Sequence, residues 1–170
     1  MRALFRFPNP VNEISARLVA AGVVVMSLLT VVFDLRWMTA VIAYGFLARV
    51  LTGPTLSPLG QLVTRVITPA LNRPAKLVPG PPKRFAQGIG AVLSITAAVL
   101  VLGFGQVGAG YVVLLLVTAA ATLESVFAFC LGCTIFGWLM RLGVIPEPIC
   151  VECNNIWAST RPAVGSGSAT

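Results

Sequence analysis

Histidine is absent from all 170 residues. Its absence excludes the commonest general base, every triad built on an imidazole, and every mixed His/Cys metal set. Acidic groups are nearly as scarce: there are five Asp and Glu together, and charged residues make up only 10% of the chain, where a soluble domain carries about 25%. Metal or acid-base chemistry must therefore be built from cysteine or glutamate. No phosphate-cradling glycine loop and no nucleophile elbow occurs. Twelve Lys and Arg leave a net charge of +7, but they are scattered between apolar runs and form no dense basic face, which argues against a nucleic-acid partner. What remains is 57% hydrophobic with a mean hydropathy of +0.93, the composition of a chain whose surroundings are a lipid bilayer.

Apolar runs predict an all-α, polytopic membrane protein with four transmembrane helices, arranged as two helical hairpins at about 14–33, 37–52, 85–104 and 111–140. About 20 residues at 1.5 Å rise span a hydrocarbon core of about 30 Å. The first helix is expected to start near Pro10, with Asn9 as cap and Glu13 in the first turn. Its apolar run is too long for a cleaved signal and is expected to be retained. Asp34 to Arg36 leaves room for a tight turn, and Gly53-Pro54 stops the second span. The fourth run, Tyr111 to Met140, would measure about 45 Å as one helix, so it must tilt, protrude or break. Gly132 is the expected breaking point.

Arg2, Arg6, Arg17, Arg65, Arg73, Lys76, Lys83, Arg84, Arg141 and Arg161 all fall on one side of this scheme, and Arg36 alone falls in a loop on the other. The positive-inside rule then puts both termini in the cytoplasm of a bacterial inner membrane. Between the hairpins, Leu59, Leu62, Val63, Val66, Ile67, Ala70 and Leu71 recur with helical spacing. They define an amphipathic helix over 59–71 that either packs on the bundle or lies in the cytoplasmic interface, and Pro69 should kink or shorten it. Residues 1–156 read as one membrane domain including a cysteine-bearing segment over 142–156, and 157–170 as a flexible tail rich in Ser, Gly, Ala and Thr.

Two charges interrupt the spans. Arg49 follows Arg36 by 13 residues and Glu124 follows Tyr111 by 13 residues, so in helices descending from the same surface both lie about 20 Å down. Charge at that depth usually faces the bundle interior and pairs, which predicts an Arg49–Glu124 ion pair. The pair either locks two spans together or marks a proton or anion path.

Cysteine carries the most specific pattern. Cys130-Leu-Gly-Cys133 and Cys150-Val-Glu-Cys153 are two Cx2C units separated by 16 residues, the spacing of a four-thiolate zinc site. The same atoms suit a relay, in which one dithiol closes a disulfide and passes it to the other by thiol exchange. Cys150 and Cys153, in a polar segment, would then be the accessible pair facing a soluble partner. Three readings stay open: a dithiol or sulfur relay needing no cofactor, a noncatalytic membrane subunit or scaffold with structural zinc, and a small sulfur-anion carrier using Arg49. The chain could act as a homo-oligomer or as part of a larger membrane complex.

With Asn9-Pro-Val-Asn-Glu13, Gly53-Pro-Thr-Leu-Ser-Pro58, Gly80-Pro-Pro-Lys-Arg-Phe-Ala-Gln87 and Leu123-Glu-Ser-Val-Phe-Ala-Phe-Cys-Leu-Gly-Cys133 assembled, the chain resembles a bacterial membrane family catalogued as domain of unknown function 4395. The resemblance runs from Asn9 to Cys133 and leaves Cys150 and Cys153 outside it. It implies an association with thioredoxin-like proteins and rhodanese-type sulfurtransferases, and so favours thiol or sulfur chemistry.

Overall fold

A computed structural model describes residues 11–71, 77–78 and 80–143. The expected cap Asn9, the pair Cys150 and Cys153, most of the 142–156 segment and the 157–170 tail lie outside the described residues. Within them the chain is helical apart from short turns and a two-residue ladder. Strand β1 (Val11–Asn12) pairs antiparallel with β2 (Leu77–Val78), with Val11 opposite Val78 and Asn12 opposite Leu77. This ladder ties the entry to the first helix to the entry to the fourth.

Helix α1 (Glu13–Val32) starts later than Pro10, because Asn12 is its cap: Ile14 N–H donates to Asn12 Oδ1 at 3.0 Å. Helix α2 (Met38–Thr52) has 15 residues, about 22 Å of rise. It ends where Gly53 takes φ 67°, a conformation open to glycine without strain, and Pro54 follows. Helix α3 covers 58–70. Ser57 Oγ accepts the Gly60 N–H at 3.2 Å, and Pro58 occupies the first turn. A π turn over Val63–Ile67 sends the Thr68 N–H back to Val63 O just before Pro69, whose ring removes a donor from the ladder. Helix α4 (Gly80–Gly103) finishes in a second π turn, Val99–Gly103. Helices α5 (Val107–Phe127) and α6 (Leu131–Arg141) divide the stretch expected as a single span over 111–140. The break falls at Ala128, with φ 56°, rather than at Gly132.

Among the described residues, three helices are long and apolar enough to cross a membrane: Glu13–Val32, Gly80–Gly103 and Val107–Phe127. Met38–Thr52 is a shorter apolar helix. The most extensive packing runs α1 on α5 and α2 on α4. Ala20, Val23, Val117 and Ala121 form the α1–α5 core, and Ile42, Ala97 and Leu114 a second one in which α2, α4 and α5 meet. The expected helix over 59–71 packs partly on the bundle. Leu59 touches the α1–α5 core and Val63 is buried, whereas Leu62, Val66 and Leu71 are exposed.

The burial pattern departs from that of a soluble protein. Hydroxyl side chains share the interior with the aliphatic cores, among them Ser27, Thr30, Thr39, Thr52, Ser94 and Thr118, while Val25, Leu28, Val92, Val112 and Leu116 point outward. The buried hydroxyls of Thr30, Thr52 and Thr118 return to carbonyls one turn earlier, at 2.7 to 2.8 Å. Close packing of small residues with large aliphatics outside is how helices associate in lipid, where a soluble protein would leave such apolar surface only at a binding site.

At one end, the turn between α1 and α2 meets the start of α5. Arg36 closes on Asp34 at 3.0 Å, and the Tyr111 hydroxyl donates to Asp34 Oδ1 at 2.6 Å. Phe33, Trp37 and Phe104 are exposed around this end, as expected of an aromatic belt. The hydrogen bonds from Arg36 and then Tyr111 hold the Asp34 carboxyl below its ordinary 3.8. A depressed carboxyl contributes stability that is complete above the ordinary value and lost as pH falls through the lowered one. The Tm difference between the wild type and Asp34→Asn should therefore stay constant from neutral pH to about pH 5, then close in stronger acid; a gap that widens in acid would contradict this.

Candidate functional site

The opposite end holds the cysteines. Helix α5 stops because Ala128 adopts a left-handed conformation, and its last carbonyls are taken up by a cation from α1. Arg17 Nη2 donates to Ser125 O at 3.0 Å and to Val126 O at 3.1 Å, and Nε donates to Ser125 O at 3.2 Å. A guanidinium here satisfies orphan carbonyls and opposes the negative end of the helix dipole. Helix α6 then begins with Cys130 as its cap: the Cys133 N–H points at Cys130 Sγ at 3.3 Å, and the Thr134 hydroxyl donates to Cys130 O at 3.1 Å. Cys130 and Cys133 form a disulfide across this first turn, with Cα atoms 5.2 Å apart. The pair therefore sits on a helix start, not in the middle of a continuous helix.

A close contact seats the motif. An added Cβ at Gly132 would lie 2.5 Å from Cα and Cβ of Ala86 on α4, so only glycine lets α6 press the Cx2C turn directly on that backbone. Phe136 packs with Phe85 one turn further on, ring centroids 5.6 Å apart.

On α4, Lys83 precedes Ala86 by about one turn. Its ammonium donates to Glu124 Oε1 at 2.6 Å, forming the ion pair of this region. The expected Arg49–Glu124 pair is thus replaced by Lys83–Glu124. Arg49 is 5% exposed. Its Nε donates to Gly45 O at 2.9 Å, and its guanidinium lies 4.5 Å from the Phe46 ring centroid. It feels the Glu124 charge without making an ion pair with it. The physical reason lies in the helix start: α4 opens at Gly80, so Lys83 belongs to the helix and reaches Glu124 first.

Arg49, Lys83 and Glu124 share the lining of one partly open cavity of about 550 Å³ bounded by helices α1 to α6, and Cys130 lies on its wall. The rest of the lining is largely aliphatic, including Val19, Leu93 and Val117. Gln87, one turn after Lys83, contributes a buried Oε1 with no hydrogen-bond partner. Among the described residues no three His, Cys, Asp or Glu side chains converge as a metal group. The zinc set expected of Cys130, Cys133, Cys150 and Cys153 depends on two residues outside them. Sequence reasoning missed Lys83 by assigning it to a loop, missed Arg17 as a cap, and missed Gln87 altogether.

The fold and site together define a helical protein with membrane-type burial, carrying a two-cysteine centre where a helix begins beside a buried charged cavity. The chain belongs to the family described as Domain of unknown function (DUF4395), whose model matches residues 11–141. No curated protein and no solved structure matches it. The matched stretch includes Arg49, Lys83, Glu124, Cys130 and Cys133, and ends before Cys150 and Cys153.

Proposed function

We propose that the chain is an integral membrane thiol protein that exchanges electrons, as dithiol and disulfide, between Cys130–Cys133 and a soluble thioredoxin-like or sulfurtransferase partner. In this reading it lies in the bacterial inner membrane with four crossings and cytoplasmic termini, the short helix α2 completing the fourth. Cys150 and Cys153 form the outer pair that meets the partner.

The observation that carries the proposal is the Cys130 cap. A thiolate at a helix N-terminus is stabilised by the free N–H groups and the positive end of the dipole, which lowers a cysteine pKa and raises the reactive fraction. In the exchange step a partner thiolate attacks the disulfide, one sulfur enters a mixed disulfide, and the other leaves as thiolate. The partner's second thiolate then displaces the mixed disulfide, so two electrons pass from partner to chain. The reverse sequence reduces the partner. A disulfide facing a reducing compartment fits a pair that works by turning over, since cytosolic disulfides are mostly transient and catalytic.

The four cysteines make the test direct. Zinc and iron are measured on protein purified in detergent without chelator, and thiols are counted on the same sample after denaturation. The expected result is no metal, with two thiols appearing only after reductant. One zinc per chain, with four thiols reactive after its removal, would replace this reading by a structural zinc site.

A further inference from the structure

The exchange needs somewhere for the electrons to go, and the cavity beside Cys130 points to a carrier. Its walls are mostly aliphatic and it lies among apolar helices. A volume of about 550 Å³ is that of a small-molecule site. Nucleotide carriers such as nicotinamides and flavins bring many phosphate and sugar oxygens, more than these mostly aliphatic walls can pair when Lys83 is already engaged by Glu124. A lipid-soluble carrier enters from the bilayer and needs only a few polar contacts at its head.

The polar groups are of two kinds, and both are required. Arg49 and Lys83 are donors, almost completely buried at 5% and 8% exposure. Glu124 and the unpartnered Oε1 of Gln87 are acceptors. A buried acceptor without a donor costs free energy that a ligand hydroxyl would recover. A quinone uses the first set and its reduced form the second: carbonyl oxygens accept hydrogen bonds, hydroquinone hydroxyls donate them. Anionic amphiphiles would use Arg49 and Lys83 but would leave Gln87 Oε1 unpaired.

We infer that the cavity lined by Arg49, Lys83, Gln87, Glu124 and Cys130 binds a membrane quinone, which takes the electrons of the Cys130–Cys133 dithiol. The inference rests on the thiol-exchange reading and gives it a direction. Two S–H bonds break and one S–S bond forms, and the two electrons and two protons released convert the two quinone carbonyls to hydroxyls. The Cys130–Cys133 pair is oxidised and the quinone reduced; the soluble partner's dithiol then refills the pair.

The full chain in lipid nanodiscs, reduced with a phosphine and freed of it, is mixed anaerobically with short-chain ubiquinone while hydroquinone and remaining thiols are counted. One hydroquinone should form for each two thiols lost, and none in Cys130→Ser. Arg49→Gln and Gln87→Leu should each slow the reaction about tenfold, the size of a lost hydrogen bond in a buried site, while diamide still closes their disulfide at the wild-type rate. Gln87→Leu removes a buried unpaired acceptor and keeps the fold, so the test survives if Arg49→Gln does not express. If diamide closes the pair and ubiquinone does not, the quinone site is overturned and thiol exchange stands. If neither closes it, both fall. Wild-type rates with quinone in both cavity variants would also overturn the site.

Discussion

Cys130→Ser should reduce disulfide exchange with a thioredoxin-like protein to background while leaving the fold in place. Serine is among the best helix caps and accepts the same N–H, so helix α6 keeps its start and Thr134 keeps its carbonyl partner at residue 130. Only the sulfur is lost. Cys133→Ser should behave differently: the Cys130 thiolate still attacks a partner disulfide, but the neighbouring thiol that resolves the product is gone, and a mixed disulfide accumulates. Exchange rates followed by partner fluorescence, with adducts resolved on non-reducing gels, check both outcomes. A Cys130→Ser protein that exchanges at the wild-type rate would move the chemistry to Cys150 and Cys153 and remove the role assigned to the helix start. A double Cys150→Ser, Cys153→Ser variant that reacts with small disulfides but not with the protein partner would support the assignment of that pair to docking.

The hydrophobic pattern was sufficient for the helices because lipid-facing helices must be apolar over a length fixed by the bilayer. It located α1, most of α4 and α5, and the amphipathic α3, whose inward residues Leu59 and Val63 lie on the expected face. The ends were less legible. The Asn12 cap lies within the run that pattern alone assigned to a helix from Pro10, and Gly80-Pro81-Pro82 read as part of a loop although proline is well suited to a first helical turn. That boundary placed Lys83 in a loop, so matched depth alone paired Glu124 with Arg49. The break before Cys130 had no local signal at all. Phe127-Ala128-Phe129 has no glycine or proline, yet Ala128 takes the left-handed conformation and the Ala128 and Phe129 N–H groups both turn back to Leu123 O, while Arg17 from α1 caps the Ser125 and Val126 carbonyls beside it. The cysteine motif itself was plain in the sequence. Its position at a helix start, on which the proposed exchange rests, was not.

Removing the Glu124 carboxylate should be the most destabilising single change among the charged residues. Lys83 is 8% exposed, its ammonium has Glu124 as hydrogen-bonding partner, and truncating one member of a buried pair strands the other charge at a cost of about 3 kcal/mol. Glu124 is itself 22% exposed at its side chain, so water reaching the carboxylate would moderate that figure for the reverse change. Glu124→Gln is therefore expected to lower Tm clearly, and Lys83→Met somewhat less, while the double variant Lys83→Met, Glu124→Gln should recover much of the loss, because it leaves no uncompensated charge between the pair. A double-mutant cycle separates this from the alternative partner. The Lys83–Glu124 coupling should be about 1 to 3 kcal/mol, and the Arg49–Glu124 coupling smaller, since groups that share a cavity without touching still interact through their charges. Equal couplings would mean that Glu124 serves both cations as one network. In that case the cavity's charge is set by three residues acting together, and a single substitution at any of them would alter binding at all the others.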